Sequence, residues 1–242
     1  MARKYMKIAM VGQKRGPSHE GGIEVVVGEL AKRMVAQGHS VTCYNRTDKQ
    51  QPQPENFNGI SLKYVPTIQK KGLAAVSASF FGCLCAAFGN YDVVHVHAEG
   101  PALFCWLPKR MGKRVIVTVH GLDWTRAKWQ NGIASKCIKL GEEMAVRHAD
   151  ELIVLSHGLK QYFADTYGRE TLLIPHGVPS YQPCAPELIR QYGLEKDNYI
   201  LYLGRIVPEK GEHYLIEAYK HLPTDKKLVI AGGASDSQEY FD

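Results

Sequence analysis

The sequence lacks most features that mark specialised proteins. Its 6 cysteines, at positions 43, 83, 85, 105, 137 and 184, include no C-x-x-C pair. That spacing excludes a zinc ribbon and a disulfide scaffold, and the thiols suit a reducing compartment. Long apolar runs are missing too. Only Ile8-Ala9-Met10-Val11 precedes Gly12, which is too short for the apolar core of a signal peptide. The stretch from Gly72 to Tyr91 has no charged side chain, but Gly72, Ser77, Ser79, Gly82, Gly89 and Asn90 dilute it. Spanning a bilayer takes about 20 predominantly apolar residues. Leu73–Phe88 therefore reads as a buried helix of an α/β domain, with a helix at the membrane interface as the alternative. The 23 glycines and 12 prolines follow no three-residue period, so collagen-like and low-complexity chains are excluded.

What is present is an ordinary globular composition, 45% hydrophobic and 22% charged, which excludes a disordered chain. A length of 242 residues allows one large domain or two small ones. The net charge of +6 is uneven: residues 1–195 hold 24 basic and 16 acidic side chains, and residues 196–242 hold 6 and 8. A basic first part suits an anionic partner such as a phosphate-bearing substrate or an acidic membrane surface. A solvated, lysine-rich surface would give the same count. Nucleic acid is disfavoured, because no strand interleaves aromatic with basic residues and the charge is spread out.

Short apolar runs alternate with helical segments. Strands are predicted at 7–11, 40–44, 60–65, 93–96, 114–119, 151–155, 171–174, 199–203 and 227–230, and helices at 23–37, 73–88, 101–110, 133–148, 158–167, 186–191 and 212–221. Runs such as Val115-Ile116-Val117-Thr118-Val119 suit strands covered on both faces. The alternation predicts a doubly wound parallel sheet. A cluster of Pro175, Pro179, Pro183 and Pro186 marks a boundary, after which Tyr199–Leu203 starts another βαβ unit. The expected domains are 1–195, a complete α/β lobe, and 196–242, the first part of a second.

Ligands of open parallel sheets bind beyond the carboxyl ends of the strands. After the first strand, Gly12 to Gly22 forms a Gly-rich loop that matches neither G-x-G-x-x-G nor G-x-x-x-x-G-K-[ST], so nicotinamide cofactors and P-loop nucleotide use lose support. Gly21 and Gly22 at a helix start would let an anion approach backbone N–H groups; a flexible connection is the plainer alternative. His95-Val96-His97 puts two imidazoles on one strand face, but no third ligand is near, so a metal is not expected. His120, ahead of Gly121-Leu122-Asp123, should protrude at the ligand-binding edge, either as a binding group or as a satisfied edge histidine. In Gly204-Arg205-Ile206-Val207-Pro208-Glu209-Lys210-Gly211, Arg205 and Lys210 together can hold a diphosphate; a Lys–Glu surface pair is the alternative.

Gly21-Gly22-Ile23-Glu24, His120-Gly121-Leu122-Asp123, Ile174-Pro175-His176-Gly177-Val178 and the Gly204–Gly211 element, in that order, resemble family 4 of the retaining glycosyltransferases, which have the two-lobed GT-B architecture. The chain is most similar to bacterial rhamnosyl- and mannosyltransferases. The resemblance implies transfer of a hexose from a nucleotide-diphosphate sugar to a polysaccharide or lipid-linked acceptor, with retention, without cofactor or metal. It implies that Arg205, Lys210, Gly21 and Gly22 bind the donor, that His120 contacts the donor sugar as the catalytic residue, and that His97 and Asp123 lie on the acceptor side. It also implies a cytoplasmic protein with peripheral contact to the anionic inner face of the membrane. The chain departs from the family in having His176 where Asn is common. The E-x7-E element of the second lobe is not found, so the chain reads as cut short in that lobe. The alternatives are a non-catalytic binding fragment of such an enzyme and a nucleotide-sugar epimerase of the same fold.

Overall fold

Strand β1 (Lys7–Val11) lies inside an eight-stranded sheet and is built from apolar residues that point alternately to its two faces. Ile8 and Met10 pack with Val27 and Ala31 of helix α1 (Gly22–Ala36). Ala9 and Val11 join a second cluster on the opposite face, with Ala78, Cys83 and Ala86 of helix α2 (Leu73–Phe88). Covering on both faces is why the strand shows no polar alternation. The computed structural model describes residues 5–48, 50, 52–70, 72–125, 132–178, 180, 182, 184–233 and 240.

From β1 the chain runs through α1 to β2 (Ser40–Arg46), then through the hairpin β3 (Asn56–Phe57) and β4 (Ile60–Val65), with β4 beside β2. It returns through α2 to β5 (Val93–His97), on the other side of β1. Helices α3 (Glu99–Ala102) and α4 (Trp106–Arg110), strand β6 (Arg114–Val119), helix α5 (Ile133–His148), strand β7 (Glu151–Val154), helix α6 (His157–Tyr167) and strand β8 (Leu172–Leu173) continue outward. The order is β3-β4-β2-β1-β5-β6-β7-β8, parallel except for β3 against β4. This is the doubly wound sheet expected, with its order reversing between β1 and β5.

A further short helix, α7 (Glu187–Arg190), precedes a two-stranded parallel sheet of β9 (Tyr199–Leu203) and β10 (Lys227–Ala231), with helix α8 (Glu212–Lys220) between them. The chain divides into two compact units, Met1–Gly177 and Val178–Asp242. Residues 178–195, read from the sequence with the first lobe, lie within the second unit.

Three details differ from the sequence reading. The helix expected at 101–110 is two short ones, interrupted at Leu103–Cys105. The hairpin strand β3 was not expected, although Asn58-Gly59, both at positive φ (51° and 82°), form the two-residue turn that favours such hairpins. Cys83 is buried, as a small hydrophobe should be, but Cys85 on the same helix is exposed, because α2 buries only one face. Leu73, Val76 and Phe88 are exposed with it. Among the described residues no helix is long and apolar enough to cross a membrane.

Candidate functional site

The crevice beyond the carboxyl ends of β1 and β5 is where a doubly wound sheet receives ligands. Gly12 leaves β1 at φ +117°, and a Cβ there would stand 2.2 Å from the His97 carbonyl oxygen, so only glycine fits between the two strand ends. The loop that follows is held by buried amides. Gln13 Nε2 donates to the carbonyls of Met10 and Tyr44 at 3.3 and 3.0 Å. The Asn45 side chain clamps Gly16 twice: its Oδ1 accepts from the Gly16 N–H at 2.8 Å and its Nδ2 donates to the Gly16 carbonyl at 2.9 Å. Glu24, in the first turn of α1, accepts from the Lys14 N–H at 2.8 Å.

The loop delivers Gly21 and Gly22 to the start of α1. Gly21 is extended, and no side chain caps the helix. A Cβ on Gly21 would meet only the flexible end of Glu24, and one on Gly22 would have nothing within 4 Å. The packing of this unit therefore does not require glycine at position 22. The space it leaves lies before uncapped backbone N–H groups at the positive end of a helix.

Next to this crevice runs a row of four histidines. His95 and His97 share one face of β5 with Val93, which belongs to the α1-side cluster. Their rings lie 4.1 Å apart. His95 Nε2 hydrogen-bonds Thr118 Oγ1 at 2.8 Å. His97 Nδ1 meets His120 Nε2 at 3.3 Å, and His120 Nδ1 meets His176 Nε2 at 3.0 Å. His97 is 0% exposed and His176 is exposed, so the row leads from the core to the surface. Burial pulls the pKa of His95 down to about 4. Burial, then the neighbouring imidazoles, hold His97 well below the ordinary histidine value, and burial also lowers His176. Among the described residues no group of three metal-ligating side chains is present.

The turn after His120 rests on two buried carboxyls. Glu99, just beyond β5, accepts from the Asp123 N–H at 2.8 Å. Glu142, on the buried face of α5, accepts from Trp124 Nε1 at 3.1 Å, from the Tyr162 hydroxyl at 2.8 Å and from the Tyr167 hydroxyl. Burial, then the hydrogen bond with Glu142, push the pKa of Glu99 up to about 10. Burial opposes ionisation of Glu142, but hydrogen bonds from Glu99, Tyr167, Tyr162 and Trp124 outweigh it and lower its pKa. Oε1 of Glu99 accepts from no N–H or O–H, and the opposed pKa shifts make Glu99 the protonated donor and Glu142 the acceptor of the pair. Asp123 opens the one-turn helix Asp123–Thr125 and is half-buried.

The structure thus brings His97 and His120 into contact and seats Asp123 on Glu99. Sequence reasoning quoted His176 without giving it a role, and missed Glu99 and Glu142. A carboxylate on the buried face of an amphipathic helix was the available signal for Glu142.

In the second unit, Arg205 and Lys210 lie in the turn between β9 and α8, both exposed. The turn is shaped from within. Gly232 brings β10 so close that a Cβ would stand 1.8 Å from the Gly204 carbonyl oxygen. Buried Glu212 accepts from the Tyr202 hydroxyl at 2.5 Å and from the Val207 N–H at 3.3 Å. Gly211, at φ +73°, ends the one-turn helix Pro208–Lys210. Neither cation has an ion-pair partner among the described residues, so the Lys–Glu surface pair is not formed there.

Residues 20–180 match the family model described as Glycosyltransferase Family 4, and residues 185–242 match the one described as Glycosyl transferases group 1. The chain is 28% identical over 255 residues to a D-inositol 3-phosphate glycosyltransferase of Xylanimonas cellulosilytica, covering 91% of this chain and 60% of that protein. It is 25% identical over 265 residues to an uncharacterised glycosyltransferase of Methanocaldococcus jannaschii, covering 98% and 65%. Among solved structures, sucrose-phosphate synthase from Thermosynechococcus elongatus superposes with a TM-score of 0.77 at 20% identity, over 97% of this chain and 64% of that one. HepE of Anabaena, in complex with UDP and glucose, superposes with a TM-score of 0.72 at 18% identity, over 98% and 64%. The chain thus spans about 60% of the length of the first of these relatives.

Proposed function

Since the chain belongs to glycosyltransferase family 4 and has the α/β fold of GT-B enzymes, we propose that its protein transfers a hexose from a nucleotide-diphosphate sugar to a saccharide or lipid-linked acceptor. The observation that carries this reading is the pair of exposed cations, Arg205 and Lys210, in a braced turn at the carboxyl end of β9. A guanidinium fork and an ammonium can neutralise the two charges of a diphosphate as the sugar–oxygen bond breaks. This is electrostatic stabilisation of a leaving group and needs no covalent step by a side chain. Gly21 and Gly22, at an uncapped helix start with open space before it, suit an anionic group of the donor.

We read the donor as a nucleoside-diphosphate sugar; solved proteins of this fold, HepE among them, are named with UDP or a UDP sugar. On this reading His120 contacts the donor sugar, and Asp123, in the turn seated on Glu99, faces the acceptor. Retention follows when the acceptor oxygen attacks on the face that the diphosphate leaves, with the acceptor's proton passing to the departing phosphate oxygen. Family resemblance also leads us to expect transfer to continue in excess chelator. The basic surplus of residues 1–195 favours an acceptor presented at an anionic membrane surface, on the cytoplasmic side.

Arg205→Ala and Lys210→Ala, made in the complete protein and assayed for sugar transfer with radiolabelled UDP- and GDP-sugars, should each lower kcat/KM by about 10²–10³. Near-normal transfer by both variants would sink the diphosphate assignment.

A further inference from the structure

We infer that His97 is a positioning residue: it fixes which ring nitrogen of His120, and in turn of His176, carries the proton, so that the three imidazoles form one hydrogen-bond chain with a single direction. The geometry sets that direction. A neutral imidazole has one N–H and one lone pair. Among the described residues Nε2 of His97 has no partner, and the residue is wholly buried. A buried N–H without an acceptor is rarer and costlier than an unfilled lone pair. The proton of His97 therefore sits on Nδ1 and is donated to His120 Nε2, 3.3 Å away.

His120 Nε2, being an acceptor, leaves its own proton on Nδ1. That N–H is donated to His176 Nε2 at 3.0 Å, which places the proton of His176 on Nδ1 at the exposed end. The reverse direction would require an N–H on the orphaned Nε2 of His97. Burial keeps His97 neutral, and His95, its ring tilted 32° to that of His97 at a centroid distance of 4.1 Å, is tied to Thr118 and leaves Nε2 of His97 without an acceptor among the described residues.

One chemical consequence follows for a ligand. If an oxygen takes the place of His176 beside His120, it meets an Nδ1–H donor. A sugar hydroxyl lone pair or a phosphate oxygen satisfies that group, and an ammonium or amide N–H does not. This consequence rests on the sugar-transfer reading; the tautomers themselves do not.

The test is a long-range ¹H–¹⁵N correlation on histidine-labelled protein at pH 8, which reports the tautomer of each ring. His97, His120 and His176 should all show the Nδ1–H pattern, whereas an unconstrained imidazole favours Nε2–H. An Nε2–H pattern at His120 in the unmodified protein overturns the inference without any variant. His97→Phe removes the buried donor; His120 is only half-buried, so water can accept from its Nε2–H and the ring should relax to the Nε2–H form of an unconstrained imidazole. His97→Asn keeps an N–H close to the position of Nδ1 and should restore Nδ1–H. An unchanged His120 pattern in His97→Phe would overturn it as well.

Transfer assays then address the role. We expect His97→Phe to lower kcat by about tenfold or more with little change in KM, and His97→Asn to recover much of the loss. Tautomers as inferred with kcat unmoved in His97→Phe would overturn the positioning role. Loss of that role while Arg205→Ala still abolishes transfer would leave the sugar-transfer reading standing.

Discussion

Glu99 keeps a proton at neutral pH while its hydrogen-bonded neighbour Glu142 does not, and this division has a sign that can be measured. In the unfolded chain Glu99 titrates near 4.5, and in the folded chain near 10. Between those values unfolding releases a proton, so the contribution of Glu99 to stability falls as pH rises, by up to about 1.4 kcal/mol per pH unit. Glu142 has its pKa lowered by folding, so its contribution is present above its unfolded pKa and lost as pH falls through the folded one. Glu99→Gln reproduces the protonated carboxyl, with an N–H for Glu142 and an oxygen for the Asp123 N–H. We expect it to be at least as stable as the parent at pH 8, with a flatter decline between pH 5 and 9 in urea melts. Glu142→Gln keeps one acceptor oxygen for three hydroxyl and indole donors, and should lose on the order of 1–3 kcal/mol. Neither glutamate was legible as a partner in the sequence. The Glu99–Asp123 and Glu142–Trp124 bonds join residues 24 and 18 positions apart, and the packing of α5 against both α3 and the 123–125 turn brings them together. His120, at a strand end, and the Arg205–Lys210 turn could be read from local pattern alone.

At the scale of elements, the segment leading from β1 into α1 holds one glycine that the fold requires and one that it does not. Gly12 is needed by the chain itself, wedged against the His97 carbonyl. Gly22 stands in open space at a helix start, where alanine is sterically free. Gly22→Ala should therefore leave thermal stability unchanged or raise it by up to about 1 kcal/mol, while lowering transfer by about tenfold or more. A parallel loss of stability in a melt would show that the glycine serves the fold instead. The strands with continuous β-branched runs were found from sequence close to their observed ends, because burial on both faces selects those residue types. The β3–β4 hairpin was overlooked, since β3 has only two residues and its sole signal is Asn58-Gly59. The division of the 101–110 segment into α3 and α4 was hidden because both halves remain apolar.

Across the whole molecule, burial is unevenly shared. The two core clusters draw only on residues of the first unit. In the second unit Leu201 and Leu203 of β9 are exposed, and only Leu194 and Val207 are buried hydrophobics among the described residues. Hydrogen exchange should report the difference: amides of β1, β5 and β6 should be protected for far longer than those of β9 and β10. Equal protection in the two sheets would show that the second unit draws stability from something other than its own core. The family model boundaries, 180 and 185, fall close to the division at Gly177 and Val178, within the proline-rich segment that the sequence marked as a boundary.

The two bonds from Asn45 to the backbone of Gly16 bear on thermodynamics as well as shape. A loop of ten residues between β1 and α1 would otherwise sample many conformations, and restricting each residue costs roughly 1–2 kcal/mol of entropy. Here that ordering is completed when the chain folds, with β2 supplying the clamp. An anion arriving at Gly22 would meet a mould already set, and its binding enthalpy would not be spent on freezing the loop. Calorimetry of an Asn45→Ala variant should show this as a more unfavourable binding entropy with the donor's phosphate contacts intact.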